Sequence, residues 1–326
     1  MSGLKYSNKE LIRVVTNLIS TLQSSDLGAP AADGEWAWLN ENHRKHFVES
    51  LYSGNWPKLQ TFLMDPFGAL TAFGIISPVE KFSKESKGTN FEADFSLLNS
   101  LYPNESSDLL RHGRVFPHPW STYTEEFMTY PDSPRHAYFA KQIIERVPTD
   151  EVGIEIGGGY GGLIYFLKKL GFKQQLIDCD LLETLIVAYI FLELNGISAV
   201  LCFSQNQFDL AKNGDSDVIL VTPQLFHSIK DFKKIGFGFN SRSLSEMSRA
   251  SCTDYLDTIN LKIKPKIFIS ENSEELLFPD SERHLENTQD EISKRLTNYS
   301  LLTNSRTRFL GGSNRYTLRI HQLAEK

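Results

Sequence analysis

Five glycines fall within the six residues 157–162, interrupted only by Tyr160, and Glu155 stands two residues ahead of the first. Gly157, Gly159 and Gly162 satisfy the G-x-G-x-x-G spacing of a strand that turns under a nucleotide-type ligand into a helix. Backbone without side chains lets such a ligand come close. Glu155 helps to choose the ligand. The pyrophosphate of NAD or FAD would sit over this turn, and a carboxylate beside it would repel it. S-adenosylmethionine (SAM) has no phosphate and carries a sulfonium and an ammonium, so an acid at the strand end suits it. The form E-x-G-G-G-x-G therefore predicts a SAM site, with Glu155, Gly157, Gly158, Gly159 and Tyr160 as cofactor-binding residues. The alternative is a plain structural turn with Glu155 in solvent.

The next apolar run, QQLIDCD, ends in Asp178 and Asp180. An acid about 20 residues beyond the glycines accepts hydrogen bonds from a ribose diol. Asp178 fits the strand end best, and Asp180, opening the next turn, is its rival. One of the two is expected to cap the helix LLETLIVAYIFLEL. Two carboxylates without further ligands make a poor metal site, and no metal is expected.

These residues need a scaffold. Residues 4–22 carry apolar positions at helical spacing, and the stretches WAWLNENHRKHFVESLY, KLQTFL and FEADFSLLNSLY do the same. Residues 1–115 thus form an N-terminal helical region, a lid, substrate-binding or oligomerisation element. Residues 116–134 hold four prolines and five aromatics and read as extended and irregular. The helix SPRHAYFAKQIIERV follows. Then VGIEI, QQLID, SAVLCF, DVILV, IGFGF and KIFIS alternate with helices, which implies a mostly parallel sheet. The last two runs, YSLLTNSRTRFL and NRYTLRIHQL, are joined by GGSN and read as a hairpin. The predicted fold is α/β: a doubly wound sheet of the class I methyltransferase type ending in an antiparallel hairpin, with residues 116–326 as the catalytic domain. A dehydrogenase would continue with a further βαβ half.

Three stretches carry a family resemblance: EIGGGYGGL, the DLLETL beginning at Asp180, and FGFNSRSLSEM with Tyr255 a little further on. Together they resemble the sugar O-methyltransferase family of SAM-dependent enzymes, whose pattern has a proline where this chain has Leu182. The resemblance covers the C-terminal half to two-thirds. It implies transfer of a methyl group to a hydroxyl, on a sugar in a glycoside, nucleotide sugar or glycan precursor.

Such a transfer is an in-line displacement that also needs a proton acceptor. After the fourth strand of the fold, IGFGF, comes Asn240, expected beside the methionine end of the cofactor. Glu246 is a candidate base, and Ser243-x-x-Glu246 is equally a helix capping box. His136 and His118, flanking the proline-rich segment, are the other base candidates. Trp120 and Tyr123 could stack on a sugar ring. Ser243 and Arg242 are further substrate-binding candidates, and Arg242, like Arg135, suits an acidic or phosphorylated portion.

The chain has 326 residues with a net charge of −6 and a pI near 5.8, so it lacks the basic footprint of a nucleic-acid binder. Three cysteines without CxxC spacing fit a reducing cytoplasm. The start of the chain has no signal-type apolar core, and the longest apolar run, Leu185–Leu192, is too short to span a bilayer. The expected partner is a small-molecule or glycan acceptor, with a homo-oligomer also allowed. Two other readings stay open: a non-catalytic SAM-fold scaffold protein, and an NAD(P)-dependent oxidoreductase, which Glu155 and the terminal hairpin disfavour.

Overall fold

The computed structural model describes residues 8–65, 84–111, 122–123, 128–130, 132–148, 150–276, 285–307, 309 and 315–324. Six helices come first: α1 (Asn8–Gln23), α2 (Gly34–Asn42), α3 (Lys45–Tyr52), α4 (Trp56–Leu63), α5 (Lys84–Leu101) and α6 (Ser106–Leu110). A two-residue antiparallel bridge pairs Thr122–Tyr123 with Met128–Thr129. Then α7 (Ser133–Ile144) leads into the alternating part. Its first half is β1 (Val152–Ile156), α8 (Gly162–Lys169), β2 (Leu176–Cys179), α9 (Leu182–Leu194), β3 (Ala199–Cys202), α10 (Gln205–Lys212) and β4 (Val218–Val221). Its second half is α11 (Pro223–Ser228), β5 (Ile235–Ser241), α12 (Ser243–Glu246), α13 (Arg249–Asp257) and β6 (Ile267–Ser273). The described chain closes with α14 (Gln289–Arg295), β7 (Tyr299–Arg306) and β8 (Tyr316–Leu323).

The eight strands form one sheet in the order β3-β4-β2-β1-β5-β6-β8-β7. The pairs from β3 to β6 are parallel, and β8 runs antiparallel to both β6 and β7. This is the class I methyltransferase arrangement predicted from the sequence, with helices at the N-terminal end. The hairpin's GGSN link lies outside the described residues. One detail differs from the sequence reading. DVILV forms β4 and slots between β3 and β2, so the strand that carries Asn240 is the fifth in the chain, not the fourth.

The order reverses between β1 and β5, because the chain builds β2, β3 and β4 on one side before crossing to the other. Open α/β sheets bind ligands at such a reversal, outside the carboxyl ends of the strands. The crevice therefore opens where β1 runs into the glycines and β5 into Asn240–Ser243.

Packing follows the sequence periodicity. In α1, Leu11, Val14, Val15, Leu18 and Leu22 are buried on one stripe. Helix α9 is buried almost all round, which explains its unbroken apolar character: it lies between the sheet and the N-terminal helices. One apolar cluster runs from Leu11, Leu18, Leu51 and Leu59 through Leu185 and Phe191 to Leu220 and Phe237. A second fills the opposite face with Ile154, Ile177, Phe208, Phe226 and Tyr255. Among the described residues no helix is long and apolar enough to cross a membrane. Cys179, Cys202 and Cys252 are buried as free thiols.

Candidate functional site

Strand β1 delivers Glu155 in register with Asp178 on β2 and Phe239 on β5. Immediately afterwards the backbone turns at Gly157, with φ of 72°. A Cβ at Gly157 would overlap the Ser243 hydroxyl, and one at Gly158 would overlap the Asp178 carboxylate. The glycines thus let the turn lie directly on two side chains of the site.

The two aspartates occupy different depths. Asp178 is fully enclosed beneath Gly158, whose N–H pulls on its carboxylate, and among the described residues neither oxygen meets a donor at full hydrogen-bond geometry. Asp180 is partly exposed; it accepts the N–H of Gly159 at 2.9 Å and of Leu181 at 2.7 Å. Asp180, rather than Asp178, therefore stands at the mouth of the crevice. Neither caps α9, because Leu181 holds the cap position and no side chain bonds there.

Burial is the main force on this acidic group. It pushes Glu155 up to about 8, with Asp180 adding to the rise and Arg135 opposing it. It raises Asp180 to about 7, against the pull of the Gly159 and Leu181 N–H groups. Asp178 is raised well above the usual range by burial and by both neighbouring acids. Glu155 Oε2 is enclosed without a hydrogen-bond partner. Among the described residues no group of three or more histidine, cysteine and acidic side chains is placed to hold a metal.

Asn240 is committed within the protein. Its Nδ2 donates to Ile156 O at 2.9 Å and to Ser243 Oγ at 2.5 Å, and its Oδ1 accepts from Asn272 Nδ2 at 2.9 Å. The expected cofactor ligand is thus a brace that ties the ends of β1, β5 and β6 together. Ser243 belongs to the same brace and donates to Ile156 O at 3.2 Å.

The capping-box reading of Ser243 and Glu246 is overturned. Arg242 occupies the cap position of α12 without a capping bond. Glu246 Oε2 instead accepts the Trp36 indole N–H at 3.0 Å, from helix α2. Glu246 also bears electrostatically on both Arg44 and Arg242. His136 is buried against the glycine turn, its Nδ1 3.3 Å from the Tyr160 hydroxyl and its Nε2 3.4 Å from an Arg135 nitrogen. His118 and Trp120 lie outside the described residues, and of Tyr123 only the backbone bridge to Met128 is described.

Residues from the N-terminal helices reach the same place, and the sequence reading missed them. Asp33 accepts from the Ser248 N–H at 3.3 Å and from the Ser248 and Ser251 hydroxyls. Glu183, fully buried, accepts from Asn40 at 2.5 Å and from the Tyr52 hydroxyl at 3.3 Å. The Arg44 guanidinium lies 4.8 Å from the Trp36 ring centroid. Burial lowers it to about 10, while Glu183, Asp180 and Glu246 support its charge. Helices α2 and α3 therefore cover the Asp180–Glu246 side of the crevice.

No family model and no curated protein matches the chain, so the likeness to sugar O-methyltransferases is one of short motifs. Solved structures with a distant likeness include the small RNA methyltransferase HEN1, at 14% identity and a TM-score of 0.40. That match covers 66% of this chain and 27% of HEN1. Another is the magnesium protoporphyrin IX methyltransferase of Synechocystis PCC 6803, with bound SAH, at 12% identity and a TM-score of 0.41, covering 59% of this chain and 83% of that one. A third is the methyltransferase domain of bacterial CtHen1-C, at 14% identity and a TM-score of 0.43, covering 60% and 99%. All three are methyltransferases, and a likeness this distant carries no argument about this chain.

Proposed function

We propose that the chain is a SAM-dependent O-methyltransferase acting on the hydroxyl of a sugar in a glycoside, nucleotide sugar or glycan precursor. The observation that carries this is the acidic crevice at the glycine turn. Glu155, Asp178 and Asp180 converge where a dinucleotide would need to put its pyrophosphate. A ligand with an ammonium and a ribose diol satisfies them: the enclosed Glu155 oxygen takes the cation, and Asp180 at the mouth takes the diol. SAM would supply a methyl group already activated by its sulfonium.

The rest falls to the chain. The Asn240 brace fixes the crevice walls. Glu246, oriented by Trp36 and set between Arg44 and Arg242, is the group proposed to accept the proton of the acceptor hydroxyl. Helices α2 and α3 exclude water from that side. The hydroxyl and sugar assignment is supported by the motif resemblance.

Calorimetric titration with S-adenosylhomocysteine (SAH), with NADH as control, tests the reading. Micromolar binding of SAH and none of NADH is expected. Glu155→Ala should weaken SAH binding by at least about tenfold, equivalent to ~1.4 kcal/mol. Binding of NADH alone, or of neither ligand, overturns the reading.

A further inference from the structure

Helix α2 spans the crevice without belonging to either core. In the sheet, β1 lies between β2 and β5, and the glycine turn ends β1. At its start, α2 is tied to the elements that follow β5. The Asp33 carboxylate takes the Ser248 N–H at 3.3 Å and the Ser248 and Ser251 hydroxyls, and Trp36 Nε1 donates to Glu246. Gly34, at φ of 52°, lies so close to the Glu246 carbonyl that a Cβ has no room. Towards its far end, α2 is tied to the element that follows β2: Asn40 donates to Glu183, in the first turn of α9. The helix therefore bridges the carboxyl end of β1.

These ties are polar. Among the described residues α2 gives no side chain to either apolar cluster, whereas α1 gives Leu11 and Leu18, α3 gives Phe47 and Leu51, and α4 gives Leu59 and Leu63. A hydrogen bond exchanged for water costs little, so an element held this way opens more readily than one held by apolar burial. Asp33 also has an alternative partner. It stands at the N-cap of α2 but makes no capping bond there, because its carboxylate holds α13. Released, it can cap α2. Ser248 already caps α13 through the Ser251 N–H. Residues 24–33 before α2, and His43 and Arg44 after it, lie outside helix and strand and can absorb a hinge motion. Glu155 and Asp178 are both buried, so a cofactor reaches them only when a cover moves.

We propose that α2 is a strap that swings open to admit SAM and then shuts over it, setting Glu246 through Trp36 only in the shut state. The inference rests on the methyltransferase reading for the identity of the ligand. Hydrogen exchange on the full-length, ligand-free protein tests the motion. Amides of α2 should exchange at least about tenfold faster than those of α3 and α4, helices of nearly the same length, and SAH should slow them. Equal exchange in the three helices overturns the inference. Asp33→Cys combined with Ser251→Cys puts a disulfide where the two side chains now touch. The oxidised variant should bind SAH at least about tenfold more slowly than the same protein after dithiothreitol, and equal rates overturn the inference. Gly34→Ala collides with the Glu246 carbonyl, so it should speed exchange in α2 and leave α3 and α4 unchanged. Wild-type exchange stands alone if neither variant folds. Failure of the wild type to bind SAH strikes the methyltransferase reading, while exchange in the ligand-free protein still decides whether α2 opens.

Discussion

Two enclosed carboxyl groups, Glu155 and Asp178, and the half-buried Asp180 beside them give the crevice a pH dependence of definite sign. Glu155 sits near 8 instead of 4.5, and Asp180 near 7 instead of 3.8, with burial the first cause of each. Groups with raised folded pKa values bind protons more tightly when folded. Their contribution to stability is complete below the unfolded values and is lost as pH rises through the folded ones. The ligand-free protein should therefore melt at falling temperature between about pH 5 and about pH 8.5, and Glu155→Gln should flatten that slope. A bound ammonium favours the ionised acids, so SAH affinity should rise over the same window. Its binding heat should vary with buffer, because protons are released. A level melting curve in the wild type would remove the basis for this linkage. The sequence showed the acids but not their order of depth. Asp178 lies at the end of β2 and Asp180 just beyond it, so both stand at the same carboxyl end, and spacing does not tell which is enclosed. Glu246 was obscured for a different reason: S-x-x-E reads the same in a cap and in a site, and its partner Trp36 lies 210 residues away.

Among the elements, the glycine turn carries the tightest requirement. Gly157→Ala meets two costs: positive φ, and a Cβ that collides with Ser243 inside the Asn240 brace. Strain of ~1–2 kcal/mol and overpacking of ~1–3 kcal/mol should together destabilise the protein by about 2–5 kcal/mol. Gly171→Ala has positive φ with nothing near its Cβ, so it should lose only the strain. Denaturant melts of both variants isolate the contact, and equal losses would show that Ser243 simply moves aside. Gly157→Ala should also abolish SAH binding, because the brace and the turn share Ile156. Elements of this kind were largely legible. Apolar runs marked the parallel strands, which are buried on both faces, and the stripe in α1 marked a helix covering one side. The place of β4 was not legible, because strand order is set by crossovers that leave no mark on local periodicity. The clasp of α2 on α12 and α13 was hidden likewise: Asp33 stands alone in its segment, and its serine partners belong to the other end of the chain.

For the molecule as a whole, the question is whether the N-terminal helices form a separable unit. The compositional break near residue 115 suggests a boundary between a helical region and a methyltransferase domain. The packing argues for interdependence. Leu11, Leu18, Leu51 and Leu59 share one apolar cluster with Leu185 and Phe191 of α9, whose outer face would otherwise meet water. Helix α2 and the turns that flank it bring Asp33, Trp36, Asn40 and Arg44 to the crevice. Large apolar faces left bare in this way promote association. A fragment of residues 116–326 should therefore aggregate or unfold, and the intact chain should melt in one transition that SAH shifts upward as a whole. Calorimetric scans of both, with and without SAH, measure this. If the fragment stays monomeric, melts cooperatively and binds SAH as the full chain does, α1–α4 are an appended lid. If only the full chain binds, the N-terminal helices are part of the cofactor site, and Trp36→Phe should then lower acceptor turnover without weakening SAH. That last split follows because the indole N–H orients Glu246 and touches none of the acids assigned to the cofactor.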